Sequence, residues 1–219
     1  PVSIPTNTGD GLKMAMRIGA KLGNMREAWW MPVHEVPRED VSTGVVLVAG
    51  SRALPRSIMV NRKGRRFVNE AANYNAFGAA FHEQDVSAFD YANLPCWLIF
   101  DRGYVDRYGF GMMGGVPGEE PPQWVMRAET LAGLARRLGI PEDALEATVT
   151  RWNAMVADGR DSDFHRGEAA HDIWWGDPAH RDSPAATLGP LERGPFYAVE
   201  IKSGALGTKG GPQTDRNAR

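Results

Sequence analysis

Apolar residues recur at helical spacing over Leu12, Ala15, Met16, Gly19 and Leu22, and Asp10 in the preceding Thr8-Gly9-Asp10-Gly11 turn stands as the natural N-cap. An amphipathic helix is predicted there. Residues 44–50 (GVVLVAG) then read as a strand and a turn after a charged loop. Residues 57–61 (SIMVN) are short, apolar and β-branched, 62–65 (RKGR) supply a Gly-containing turn, and 66–69 (RFVN) read as the returning strand of a hairpin. From Glu70 onward, Tyr74, Phe77, Gly78 and Phe81 share one helical face, which therefore carries an ionisable hydroxyl.

Further along, 96–100 (CWLIF) form a buried-strand pattern, 101–108 a short helix or turn, and 124–128 a brief strand. The intervening residues 109–122, with five glycines and three prolines, form a loop long enough to serve as a lid over an apolar ligand. Two helices follow. Leu131, Leu134, Ala135 and Leu138 make the stripe of the first, which Gly139 stops. Pro141 takes the first position of the second, with Leu145, Thr148, Val149, Trp152 and Val156 as its stripe. A strand over 196–201 and a Gly-rich turn close the pattern.

Composition excludes several function classes. With 219 residues and 42% hydrophobic content, there is material for a substantial core. A net charge of −2 with interspersed signs offers no field for nucleic acid or an anionic membrane surface. No apolar run approaches the roughly 20 residues of a transmembrane segment. The single cysteine, Cys96, lies in a buried-strand pattern with no electropositive neighbour, so it reads as an inert thiol in a reducing, cytoplasmic setting. His165, His171 and His180 are spaced by six and nine, not as the i, i+4 pair of a helical zinc motif, so no metal site is expected. His34 reads as a solvent-facing loop residue. The GTKGG turn at 207–211 has neither dinucleotide-fingerprint nor P-loop spacing, and no GxGxxG follows an N-terminal strand.

Four stretches in order, TGDG (8–11), VNRKGRRFVNE (60–70), WWGDP (174–178) and PFYAVEIKSGALGTKGG (195–211), resemble motifs of the FAD-dependent fumarate reductase and 3-ketosteroid dehydrogenase superfamily. The likeness covers most of the chain and leans toward the ketosteroid dehydrogenases. It implies an α+β fold: a substrate-capping domain over 54–190 with a small, mainly antiparallel sheet and flanking helices. Residues 1–53 and 191–219 would be remnants of an α/β FAD-binding domain. The chain thus reads as a segment of a longer polypeptide, with the remaining FAD-binding segments as its partners.

The resemblance also implies roles. Thr8, Gly9, Asp10 and Gly11, with Gly207 and Thr208, fall at the FAD site, and a carboxylate at Asp10 suits a hydroxyl better than a phosphate. Fumarate reductases carry a donor Arg four residues after the motif's Glu; that position is Tyr74, and ketosteroid dehydrogenases use a catalytic Tyr from this region. The substrate-binding histidines of fumarate reductases correspond to Met31 and Leu206, and the flavin-facing one to Gly207. Loss of the Arg and both substrate imidazoles removes a dicarboxylate clamp and leaves an apolar wall. The implied reaction is 1,2-dehydrogenation of a ring ketone such as a steroid, with Tyr74 as the base. A free phenol titrates near ~10, so that role requires an activating neighbour. Two alternatives stay open: a fumarate-like acid as substrate, with Arg66 compensating, and a binding domain that uses the cap fold without chemistry.

Overall fold

The computed structural model describes residues 6–37, 44–110 and 115–217. In chain order they form α1 (Asp10–Arg17), β1 (Leu22–Gly23), β2 (Ala28–Glu35), β3 (Val45–Leu47), β4 (Ser57–Asn61), α2 (Phe77–Phe81), β5 (Gln84–Asp85), β6 (Asp90–Tyr91), β7 (Cys96–Asp101), α3 (Arg102–Tyr108), β8 (Met126–Ala128), α4 (Leu131–Leu138), α5 (Glu142–Ala157), α6 (Ala170–Trp175), β9 (Phe196–Thr208) and β10 (Gly211–Pro212). The fold is α+β, as expected. An antiparallel sheet runs β3-β2-β9-β7-β4, with β8 pairing the first residues of β9, while β1–β10 and β5–β6 are separate two-stranded ribbons.

Strand alternation builds two cores from one sheet. Ile58, Val60, Trp97, Ile99, Phe196 and Ala198 face α4 and α5, meeting Leu134, Leu145, Val149 and Trp152. Met59, Leu98, Phe100, Tyr197, Val199 and Ile201 face the other way, against Phe77 and Phe81 of α2 and Tyr104 and Val105 of α3. Both faces are covered, so β4 and β7 are buried at every residue and read as continuous apolar runs. Cys96 sits in this second core, where burial pushes its thiol pKa far up and keeps it inert.

The predicted hairpin at 57–69 does not form. β4 pairs β7 instead, and 66–69 are not a strand. The Asn61 side chain explains the change: its Oδ1 accepts from the backbone N–H groups of Lys63 (3.0 Å) and Arg65 (3.3 Å), folding the chain into a tight loop. The outward backbone of β4 then meets side chains. Met59 N–H donates to Glu70 Oε1 at 3.0 Å, and Arg166 Nη1 donates to the Ser57 carbonyl at 2.8 Å. An edge that would otherwise template aggregation is thereby closed.

The remaining departures are local. The helix expected from Glu70 begins only after a 3₁₀ turn at Tyr74–Ala76, with Asn73 as cap. In α1 the cap position is Gly9, with Asp10 the first helical residue; in α5 it is Pro141. Met155, rather than Val156, is the last buried residue of the α5 stripe. β9 runs thirteen residues instead of stopping at Ile201. Its second half is held by β2, and Gly204 is required there because a Cβ would lie 2.5 Å from Val33 Cγ1. His34 is not a loop residue. It lies in β2 at 6% exposure, with ring centroids 5.6 Å from Trp124 and 6.0 Å from Phe110. Only part of the proposed lid loop, 109–110 and 115–122, falls within the described residues.

Burial lowers the His34 pKa below its ordinary 6.5, against a smaller opposing effect of the Glu35 carbonyl. The unfolded chain then binds more protons than the folded one, so stability is present above about pH 6.5 and is lost as pH falls below it. Melting temperatures at pH 8 and pH 5.5 should differ, and His34→Phe should narrow the difference.

Candidate active site

Tyr74 is half-buried at the start of the 3₁₀ turn that leads into α2. Its neighbour is Trp29 of β2, whose indole Nε1–H donates to the Tyr74 hydroxyl oxygen at 3.0 Å, the rings stacking at 6.5 Å between centroids. An indole can only donate, so the phenol oxygen is the acceptor and its own proton is not used in this bond. The next residue, Trp30, packs toward α2. A Cβ on Gly78 would lie 2.3 Å from Trp30 Cδ1, and the His82 ring meets Trp30 edge-on at 4.5 Å. The glycine on the predicted apolar face is thus the seat of an indole.

One carboxamide joins these parts. Asn75 Oδ1 accepts from the Trp30 backbone N–H at 3.2 Å and from Lys209 Nζ at 3.0 Å. The strand register of β2 and β9 shifts between Ala28 and Trp30, and Asn75 sits against that irregularity. Tyr74 is therefore carried on a turn anchored at once to β2 and to the residue following β9.

The implied apolar wall lies on these same strands. Met31 is buried, at 4% exposure, and pairs across to Gly204, two residues before Leu206, which is half-buried. Thr208 pairs with Ala28, and the Lys209 N–H donates to the Glu27 carbonyl at 3.2 Å, so Gly207 and Thr208 lie next to the stretch that carries Trp29. Thr8 to Gly11 form an exposed turn opening α1, in which Thr8 Oγ1 donates to Asp10 Oδ1 at 3.1 Å. The β1–β10 ribbon, beside α1, joins this turn's segment to the chain that follows Thr208.

These residues fit FAD. Cβ atoms at Gly9, Gly11 and Gly207 would find nothing within 4 Å among the described residues, so the backbone at all three positions is open there to a close approach. The first turn of α1 has no side-chain cap, and its acidic residue suits a ribose or ribityl hydroxyl. α1 also leaves Met14 at 67% and Met16 at 55% exposure, with Ile18 beyond it at 86%, an apolar surface without cover among the described residues.

Arg66 is not available to a substrate. Its side chain is 4% exposed and is committed to Glu70 (2.9 and 2.7 Å) and Asp161 (3.1 and 2.8 Å). The WWGDP element is structural: Asp177 caps the following 3₁₀ turn and accepts from the Tyr108 hydroxyl at 2.8 Å. Among the described residues no three of His, Cys, Asp and Glu gather into a metal site. Nor is any helix there long and apolar enough to cross a membrane.

The FAD binding domain family matches residues 1–219. A 4-oxocyclohexanecarboxylate 2-dehydrogenase of Sinomonas cyclohexanicum is 46% identical over 99% of this chain and 38% of its own length. A 3-oxosteroid 1-dehydrogenase of Mycolicibacterium smegmatis is 39% identical over the whole chain and 38% of its own length. The crystal structure of 3-ketosteroid delta1-dehydrogenase from Sterolibacterium denitrificans in complex with 1,4-androstadiene-3,17-dione superposes with a TM-score of 0.86 at 37% identity, over all of this chain and 39% of that one. The chain therefore spans under two fifths of the length of these relatives. It belongs to the FAD binding domain family, in the flavoprotein superfamily of 3-ketosteroid dehydrogenases and fumarate reductases.

Proposed function

We propose that this chain is the substrate-capping part of an FAD-dependent dehydrogenase that desaturates a six-membered ring ketone, with Tyr74 as the base. The observation that carries it is the hydrogen bond from Trp29 to the Tyr74 oxygen. The carbonyl makes the neighbouring C–H acidic, and Tyr74 as the phenolate takes that proton and ends as the neutral phenol, the indole N–H stabilising its negative oxygen before the transfer. Bound FAD would supply the acceptor for the hydride of the adjacent carbon. Thr8 to Gly11, Gly207 and Thr208 hold the cofactor, and Met31 and Leu206 belong to the apolar wall that excludes water from the ring. Residues 54–190 form the body of the cap and share one sheet with β2, β3 and β9, through which 1–53 and 191–219 return to the FAD-binding part of the same polypeptide.

Two relatives support the ring ketone: one is named for an oxosteroid and the other for an oxocyclohexane carboxylate, and both names specify an oxo group on a ring. A fumarate-like substrate needs cationic clamps, and Arg66 is spent on Glu70 and Asp161. Dye-coupled turnover of the FAD-loaded holoenzyme tests the proposal. Oxidation of 4-oxocyclohexanecarboxylate or of a 3-ketosteroid is expected, with fumarate reduction at least about 100-fold slower in kcat/KM, as the loss of charged recognition predicts. Preferred turnover of fumarate would defeat it.

A further inference from the structure

We infer that Asn75 is the positioning residue for Tyr74; the inference rests on the base role proposed above. The turn bearing Tyr74 is only three residues long and has no buried residue, so its own packing does little to fix the phenol. One oxygen ties it to the sheet. Asn75 Oδ1 takes the Trp30 backbone N–H (3.2 Å) and the Lys209 ammonium (3.0 Å). The Trp30 amide is the one beside the β2–β9 register shift, and Lys209 directly follows the candidate cofactor contact Thr208.

One side chain therefore ties the turn to β2, which carries the candidate residue Met31, and to the end of β9, which carries Leu206 to Thr208. Trp29 adjoins the anchored Trp30 amide, so the same bond sets the spacing between the Trp29 indole and the Tyr74 hydroxyl. Both anchoring bonds end on Oδ1, so an acceptor oxygen is required and the amide NH₂ is not. A carboxylate can replace it, with a charge-assisted bond to Lys209.

The test compares Asn75→Ala and Asn75→Asp in the FAD-loaded holoenzyme. Asn75→Ala is expected to lower kcat by about 100-fold, the cost of a displaced catalytic group, with KM within about threefold. Asn75→Asp is expected to restore kcat to within about threefold of the wild type, because both acceptor bonds survive. An independent readout is hydrogen exchange of the Trp29 indole N–H by NMR, assigned with Trp29→Phe. Exchange should accelerate in Asn75→Ala and return in Asn75→Asp, whether or not Tyr74 is the base. Unchanged kcat and exchange in Asn75→Ala would overturn the inference, as would equal losses in the two variants. Full turnover by Tyr74→Phe would defeat the base assignment alone, leaving the exchange readout to decide on Asn75.

Discussion

Tyr74→Phe is expected to lower the kcat of ring-ketone dehydrogenation by about 10²–10⁴, the usual worth of a positioned general base, while the protein stays folded and binds substrate. The variant removes one oxygen. Phe keeps the ring that stacks with Trp29 at 6.5 Å and loses only the acceptor of the indole bond. Because Tyr74 is half-buried at the edge of a turn, the lost hydroxyl leaves no cavity in either core. Steady-state kinetics with circular dichroism as the folding control checks this. Turnover at the wild-type rate would remove Tyr74 from the chemistry.

The second large effect concerns stability. Glu70 is completely buried and accepts from Arg66 Nε (2.9 Å) and Nη2 (2.7 Å), Arg166 Nη1 (3.2 Å) and the Met59 amide (3.0 Å). Its backbone carbonyl accepts from Arg52. Arg166, also fully buried, reaches the carbonyls of Ala53 (3.2 Å), Leu54 (2.9 Å) and Ser57 (2.8 Å). Arg66 further binds Asp161 and lies 4.5 Å over the Trp152 ring. Glu70 and Asp161 thus balance Arg66 and Arg166 away from solvent, and the same atoms close the edge of β4.

Burial by itself would raise the Glu70 pKa, but Arg66, Arg166 and the Met59 amide outweigh it and hold the carboxyl below its ordinary 4.5. A depressed carboxylate pKa contributes stability above the unfolded value, lost as pH falls through the folded one. Glu70→Gln leaves two buried guanidiniums facing a neutral amide and is expected to cost about 3–5 kcal/mol. Chemical denaturation at pH 7 measures that loss. A change below about 1 kcal/mol, the scale of an exposed ion pair, would show that the network does not hold this edge.

Much of this organisation is legible in the sequence. The apolar runs of β4 and β7, the helices α4 and α5, and the Gly139 stop are local patterns, and they appear as read apart from the last turn of the α5 stripe. Residues 66–69 have strand-like chemistry, yet Asn61 closes the loop and Glu70 draws Arg66 inward, choices made by partners up to 95 residues away at Asp161. His34 looks like a loop histidine until Trp124 and Phe110, distant in sequence, enclose it.

The same holds for the candidate site. Tyr74 stands out through its place after the VNRKGRRFVNE motif, and the Trp29–Trp30 pair is conspicuous on the page. That Trp29 would meet Tyr74, and Asn75 both Trp30 and Lys209, depends on the pairing of β2 with β9 across more than 170 residues. No local period encodes that. Gly78 is the partial exception, since a glycine on an otherwise aromatic helical face marks a place where something large must approach.

The most direct measurement is anaerobic mixing of the oxidised FAD holoenzyme with a six-membered ring ketone while the flavin absorbance is followed. Rapid bleaching is expected in the wild type, and bleaching slowed by about 10²–10⁴ in Tyr74→Phe at saturating ketone, because the base acts before the hydride can leave. Absence of bleaching by any ring ketone, with reoxidation of the reduced flavin by fumarate instead, would contradict the proposed function.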